Sequence, residues 1–164
     1  LTATPKVEAD ELKGNWFSIG PSIASVNSSQ IDATWSTGVD LTLSSISTGS
    51  GARDSILPRS FGVGWASMGA NLIRTSPSSM RLYGEVGTWF LVTIGCGFSV
   101  DLQNGSTGKR DANLFFGLPI PFTLDPGVPY LHLYYRPHWV VSDPKVSGFD
   151  FHELGVLVKW PLRI

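Results

Sequence analysis

The sequence is poor in charged residues. Asp, Glu, Lys and Arg make up 15% of its 164 residues, against roughly 25% in an average soluble domain. The mean hydropathy is +0.10. A soluble domain of this size normally covers its surface with charged side chains, so the composition argues against an ordinary soluble protein. The net charge is -1, and no basic run indicates a nucleic-acid partner.

The sequence also lacks paired cysteines and long apolar segments. Cys96 is the single cysteine, which excludes an intrachain disulfide. No apolar run approaches the ~20 residues that a membrane-spanning helix needs. The 18 glycines and 11 prolines argue further against long helices.

Apolar and polar residues alternate with a period of two, the pattern of half-buried β-strands. The clearest run spans Trp35 to Ser44. One apolar phase persists from Met80 to Leu102, which is too long for a single crossing of ~9–11 residues. Dividing it near residues 88–93 yields eight strands, an even number as in bacterial outer-membrane barrels. Gly-, Ser-, Asn- and Pro-rich clusters, among them Gln103 to Asp111, mark turns.

The sequence therefore predicts an all-β fold, an antiparallel up-and-down transmembrane β-barrel of eight strands. Residues 1–14 form a polar N-terminal lead and residues 15–164 the barrel domain. In a soluble barrel the outer face is rich in Lys and Glu, whereas the polar phase here is mostly Gly, Ser and Thr. Small residues suit a crowded lumen, because an eight-stranded barrel is just wide enough to be filled by side chains.

The few charged residues of the strands fall on this polar phase. Buried charges are tolerable when they are paired and hydrogen-bonded, so we predict a lumen network that closes the barrel to ions. Its candidate members are Asp40, Arg81, Tyr83, Glu85, Asp101, Tyr130, His132, Tyr134, Arg136, Glu153 and Lys159.

The tryptophans fit a membrane barrel in part. Trp65 belongs to the apolar phase that should face lipid, while Trp16 and Trp89 fall on the inward phase. Aromatic girdles flank the apolar band of such barrels, and three tryptophans lie on the outward phase near predicted strand ends: Trp35, Trp139 and Trp160.

The strand rhythm of GVDLTLSS, RLYGEVGTWF and HELGVLVKW resembles that of the small eight-stranded outer-membrane barrels of Gram-negative bacteria, the OmpA/OmpX type. The resemblance covers about residues 15–162 and implies an outer-membrane location. One departure is the C-terminal end. That family usually ends in an aromatic residue, whereas here Trp160 is followed by Pro-Leu-Arg-Ile.

A second segment, FGLPIPFTLDPGVPYLHLYYRP, resembles the proline-interrupted strands of the lipid A palmitoyltransferase barrel. The resemblance implies that Pro119 and Pro121 break ladder hydrogen bonds and open a lateral route for a lipid chain. A simpler interpretation is that they mark a bulge or a strand end. That family's catalytic His lies on an early loop, and no histidine precedes His132 here.

Polar residues around the last predicted loop could form a site at the outer rim: His138, Ser142, Asp143, Asp150 and His152. A Ser/His/Asp hydrolase arrangement can be drawn from them. Their spacing matches no motif, and Ser and Asp are ordinary turn formers. We therefore assign no catalytic residue, and the histidine spacing predicts no metal site.

These observations predict an integral outer-membrane barrel with a structural, docking or envelope-interaction role, no cofactor and no enzymatic activity. Its expected partners are outer-membrane lipid or lipopolysaccharide, with another envelope protein as a further option. Three alternatives stay open. They are a lipid-modifying outer-membrane enzyme, a soluble lipocalin-like ligand-binding barrel, and a narrow channel for small apolar molecules with a gap near Gly62, Gly64, Gly95 and Gly97.

Overall fold

The structure is a computed structural model. It describes residues 14–28, 31–48, 61–74, 78–89, 92–103, 106–122, 128–141 and 149–164. Within these ranges, no helix is long and apolar enough to cross a membrane.

Eight antiparallel strands form a single closed sheet in which neighbours in sequence are neighbours in space. β1 pairs with β8 and closes the barrel. The predicted all-β, eight-stranded antiparallel barrel is thereby confirmed. The strands are β1 (Gly14–Ser28), β2 (Ile31–Thr48), β3 (Phe61–Ile73), β4 (Ser79–Trp89), β5 (Thr93–Gln103), β6 (Ser106–Pro121), β7 (Tyr130–Val140) and β8 (Phe149–Arg163).

The barrel has a proximal and a distal end. The proximal end carries the first residue of β1, Gly14, and the last residue of β8, Arg163. The distal end is where Ser28 of β1 pairs with Ile31 of β2.

The long apolar phase from Met80 to Leu102 divides into β4 and β5, as the length argument predicts. Met80 pairs with Leu102 and Trp89 pairs with Thr93, so the two halves form one hairpin. The alternation of apolar and polar residues continues through the turn between β4 and β5, because both strands keep their apolar residues on the same face of the sheet.

The predicted turn from Gln103 to Asp111 is wrong beyond residue 105. β6 begins at Ser106, and its first residues already pair with β5. A register shift between Val100 and Leu102 interrupts the alternation there. This irregularity, together with the polar composition of the segment, hides the strand from a period-two pattern.

The prolines of β6 do not coincide with a break in the sheet. Pro121 is the last residue of the strand, and Pro119 keeps a register partner, His132 of β7. Pairing between β6 and β7 is interrupted instead after Asn113 and resumes at Phe116, opposite Arg136 and Pro137. Pro137 has no N–H to donate, which accounts for a gap at this position.

Successive side chains on each strand point alternately into and out of the barrel. On β4 the inward set is Arg81, Tyr83 and Glu85, all buried, and the outward set is Leu82, Gly84 and Val86, all exposed. The three girdle tryptophans, Trp35, Trp139 and Trp160, are 60%, 50% and 43% exposed and face outward.

Trp65 corrects the predicted facing of β3. Its side chain is buried inside the barrel, whereas Gly64, Met68 and Leu72 are exposed outside. The ring fits inside because the two strands beside it, β4 and β5, carry glycines where it lies. A Cβ added to Gly87 or to Gly95 would lie 2.6 Å from Trp65 Cζ2. Hydrophobicity alone therefore assigned this residue to the wrong face.

Candidate functional site in the barrel interior

A single arginine links three strands at the centre of the interior. Arg136 of β7 donates from Nε to Glu85 Oε1 at 2.6 Å and from Nη2 to Glu85 Oε2 at 3.1 Å. Its Nη1 donates to Glu153 Oε2 at 2.7 Å. The Tyr83 ring lies 4.2 Å from the guanidinium carbon, in cation–π geometry. These partners match the planar fork of an arginine, which pairs bidentately with carboxylates.

Glu85 is satisfied on both oxygens by further partners. Asn113 Nδ2 donates to Oε1 at 2.9 Å, and the Ser67 hydroxyl lies 3.5 Å from Oε2. Ser67 and Asn113 come from β3 and β6, so the carboxylate of β4 connects to strands on both sides of it.

A second arginine organises the distal part of the interior. Arg81 binds Asp101 bidentately, with Nε to Oδ1 at 2.6 Å and Nη2 to Oδ2 at 2.9 Å. Its Nη2 also lies 3.1 Å from Asp111 Oδ2. The Phe151 ring lies 3.8 Å from the guanidinium carbon. Arg81 is thus held by two carboxylates and one aromatic face.

The remaining interior cation lies nearer the proximal end. Lys159 Nζ is 3.0 Å from Asp40 Oδ1 and donates to the Thr42 hydroxyl at 2.7 Å. Thr42 in turn donates to Asp40 Oδ1 at 2.6 Å, and the Tyr83 hydroxyl donates to Asp40 Oδ2 at 2.9 Å. Tyr83 connects this cluster to the central one, because its ring contacts Arg136.

Aromatic and aliphatic side chains fill the space beside the central arginine. The buried cluster consists of Ala24, Trp65, Phe115, Tyr134 and Leu157, with Trp89 packed against it. Phe115 contacts Trp65 edge-on at 5.4 Å and stacks on Tyr134 at 5.7 Å. This cluster adds apolar filling to the charged pairs.

The eleven predicted network residues all point inward, and all are buried except Asp101 and Tyr130, which are half-buried. His132 is inside but makes no hydrogen bond from either ring nitrogen to the described residues. It packs edge-on against Phe115 at 5.4 Å, and its ring lies against Gly117, where a Cβ would leave it no room. Tyr130 is half-buried beside it.

Several interior residues were not predicted. Asp111, Asn113 and Phe115 lie on the inward phase of β6, opposite to the outward Leu114 and Phe116. The alternation of β6 contains this signal once its start is placed at Ser106. Asp111 was missed because it was assigned to a turn.

Of the predicted outer-rim site, the structure describes the side chains of the two histidines, and it does not bring them together. His138 is fully buried inside the barrel, where its Nδ1 lies 3.2 Å from the Ser99 hydroxyl and 3.9 Å from Asp111 Oδ2. His152 lies on the outer face, with Nδ1 2.8 Å from the Tyr135 hydroxyl. The two histidines therefore occupy opposite sides of the barrel wall. Ser142 and Asp143 lie outside the described residues, as does the side chain of Asp150.

A small cavity of about 40 Å³ lies at the distal end of the interior, lined among others by Arg81, Asp101 and Asp111. Near it, several buried polar atoms have no hydrogen-bond partner in the described part of the chain: Arg81 Nη1, Asp111 Oδ1, His138 Nε2 and Glu153 Oε1. Arg81 Nη1 and Glu153 Oε1 are 3.9 Å apart.

Taken with the apolar exterior, this interior defines a small closed barrel in which paired charges are buried inside, together with one aromatic cluster, while most of the described large apolar side chains face outward. No protein-family model and no curated protein sequence matches the chain. Among solved structures it is similar to Neisserial surface protein A (NspA), with a TM-score of 0.50 and 13% identity over 90% of this chain and 97% of that one. At this identity the likeness shows a shared fold only.

It also matches Ail, the attachment invasion locus protein of Yersinia pestis, solved in complex with the heparin analogue sucrose octasulfate. The TM-score is 0.36 and the identity 11%, over 92% of this chain and 100% of that one. A similarity of this size supports no argument about function.

Proposed function

We propose that this protein is an integral β-barrel of a bacterial outer membrane, with a lumen closed by its own side chains and a structural or docking role in the envelope. The observation that carries the proposal is the inverted polarity of the wall. Among described side chains, the buried charges lie inside in paired clusters, while Ile94, Phe98, Met68 and Leu154 are 48–72% exposed outside.

A barrel with buried charges and an apolar outer wall suits a bilayer as its surroundings better than water. A closed barrel satisfies every backbone group within the sheet, so it can face hydrocarbon without unpaired N–H or C=O groups. Contiguous apolar patches larger than a few hundred Å² are rare on soluble monomers, whereas apolar side chains here alternate outward on every strand. This argument favours the membrane barrel over the soluble ligand carrier.

The packing of the interior favours a closed barrel over a channel. The channel alternative predicts a gap in the lumen near Gly62, Gly64, Gly95 and Gly97. Gly64 instead faces outward, and Trp65 covers Gly95. A Cβ at Gly97 would lie 2.7 Å from the Glu85 side chain. Next to this filling, Arg136 is hydrogen-bonded to both Glu85 and Glu153, so the charged side chains of the centre are held by one another rather than lining an open path.

The test has two parts, applied to protein purified in detergent. A folded membrane barrel shifts its mobility on a denaturing gel only after boiling, and it inserts into vesicles. Planar-bilayer recordings on the inserted protein should then stay at background current. A protein that remains soluble without detergent would contradict the membrane assignment, and steady single-channel steps would contradict the closed lumen.

A further inference from the structure

A hydrogen-bonded pair of polar side chains lies on the outer wall. The Tyr135 hydroxyl and His152 Nδ1 are 2.8 Å apart, and the two rings stack with an interplanar angle of 5°. Phe116 stacks on Tyr135 at 6.4 Å, and the exposed Leu154 is the register partner of Tyr135. An imidazole in such apolar surroundings calls for an explanation, because polar groups on a lipid-facing wall are costly.

The register places this pair at the level of the tryptophan girdle. His152 is opposite Asn27 of β1, two residues beyond Ser25, which is the partner of Trp35. On its other side His152 is opposite Pro137, two residues before Trp139. Two outward tryptophans thus flank His152 at nearly the same height. Aromatic girdles mark the boundary between hydrocarbon and headgroups.

The pair leaves one hydrogen-bond donor unused. When the tyrosine hydroxyl donates to Nδ1, the neutral imidazole carries its proton on Nε2. The described residues offer Nε2 of His152 no acceptor. Asn27, exposed on the neighbouring strand, adds an amide to the same outward patch.

We propose that Asn27, Tyr135 and His152 form a site for the acyl ester group of a bilayer lipid, in which His152 Nε2–H donates to an ester carbonyl oxygen. The inference deepens the proposed function and rests on it, since the site requires the outer wall to face a bilayer. Ester carbonyls are hydrogen-bond acceptors present at the hydrocarbon boundary, and Tyr135 orients the imidazole toward them by holding its other nitrogen.

The ester is chosen over a protein partner because the patch is small and lies in a wall that is otherwise apolar. Leu133 and Leu154 beside it are 39% and 65% exposed, and lipid chains cover such surfaces without a specific partner. The polar atoms of the same lipids lie at the girdle, where the unused donor is found.

The test compares unfolding by urea in vesicles of a diacyl phosphatidylcholine and of its dialkyl ether analogue, which keeps the phosphate and lacks both carbonyls. The variant His152→Phe retains the stacked ring and removes the donor. The variant loses the bond to the Tyr135 hydroxyl in both lipids, so its folding equilibrium constant should fall in both. In ester vesicles we expect a further fall of roughly two- to ten-fold, the effect of one ordinary hydrogen bond.

Tyr135→Phe is the second variant, because it removes the hydroxyl that holds His152 Nδ1 and leaves the imidazole itself unchanged. We expect a loss in both lipids from the missing bond to Nδ1, and an additional loss in ester vesicles that is smaller than that of His152→Phe. Thr37→Val is the matched control, since Thr37 lies on the outward phase of β2 two residues from Trp35. Its effect should be equal in the two lipids.

An equal loss for His152→Phe in both lipids, or no loss in either, would overturn the ester site while leaving the membrane barrel standing. Failure of the parent protein to insert into either kind of vesicle would instead overturn the proposed function, and the ester site with it.

Discussion

Arg136 and Glu85 are 51 residues apart in sequence and form a two-point ion pair inside the barrel, with Nε–Oε1 at 2.6 Å and Nη2–Oε2 at 3.1 Å. Glu153 binds the third nitrogen of the same guanidinium. Removing the arginine leaves two buried carboxylates without their main partner, which costs more than the pair contributes.

We therefore expect Arg136→Met to lower the free energy of unfolding by about 3–5 kcal/mol, measured by urea titration of the folded barrel in lipid vesicles. Arg74→Met is the control, because Arg74 is exposed at the end of β3. A surface change of this kind should stay within about 0.5 kcal/mol. Equal effects of the two substitutions would mean that the interior is hydrated well enough to solvate free carboxylates.

Val86 tests which solvent the outer wall meets. It is 58% exposed in the middle of β4. In a bilayer, Val86→Arg should destabilise the barrel by about 2–4 kcal/mol, the cost of an arginine near the midplane. Val86→Leu should be nearly neutral. In water the arginine would be harmless, so unchanged stability of Val86→Arg would favour the soluble alternative.

Trp65 tests the filling of the lumen. Its ring occupies the space that Gly87 and Gly95 leave open. Trp65→Ala should cost about 3–5 kcal/mol through the cavity that it creates, as measured by the urea midpoint. Trp35→Ala, on the outer wall, serves as the comparison and should cost less. If Trp65→Ala leaves stability unchanged, the interior is not close-packed at this ring.

The three histidines differ in accessibility. His132 and His138 are 4% and 0% exposed, whereas His152 is half-buried on the outer face. Diethylpyrocarbonate, which acylates accessible imidazoles, should modify His152 in the folded protein and leave the other two intact, with the sites read by peptide mass spectrometry. All three should react after boiling. Modification of His138 in the folded state would mean that the distal interior is open to solvent.

The sequence predicted the strands well because a half-buried strand imposes a strict period of two on its residues. Arg81, Tyr83 and Glu85 could be assigned to the interior by parity alone, and the division of β4 from β5 followed from length.

The errors occurred at positions where the alternation along one strand does not determine where a side chain lies. Trp65 faces inward where Gly87 and Gly95 of the next two strands leave space for its ring, and the pattern of one strand does not show which residues its neighbours place beside it. Asp111 was assigned to a turn, because a register shift between β5 and β6 interrupts the pairing near it. His138 shares the inward phase of Arg136, but its place at the end of a strand favoured a rim position. Its actual site depends on Ser99, Asp111 and Glu153, which come from three other strands.

The charged interior has a consequence for how the barrel assembles. Thr42 and Lys159 are 117 residues apart, and Arg136 bridges β4 and β8. A sheet that has inserted some of its strands therefore carries unmatched charges that only the missing strands can neutralise. Such intermediates are penalised in a bilayer far more than in water. In a bilayer the closed barrel is therefore favoured over a partly assembled sheet, because these charges meet their partners only when strands far apart in sequence have come together.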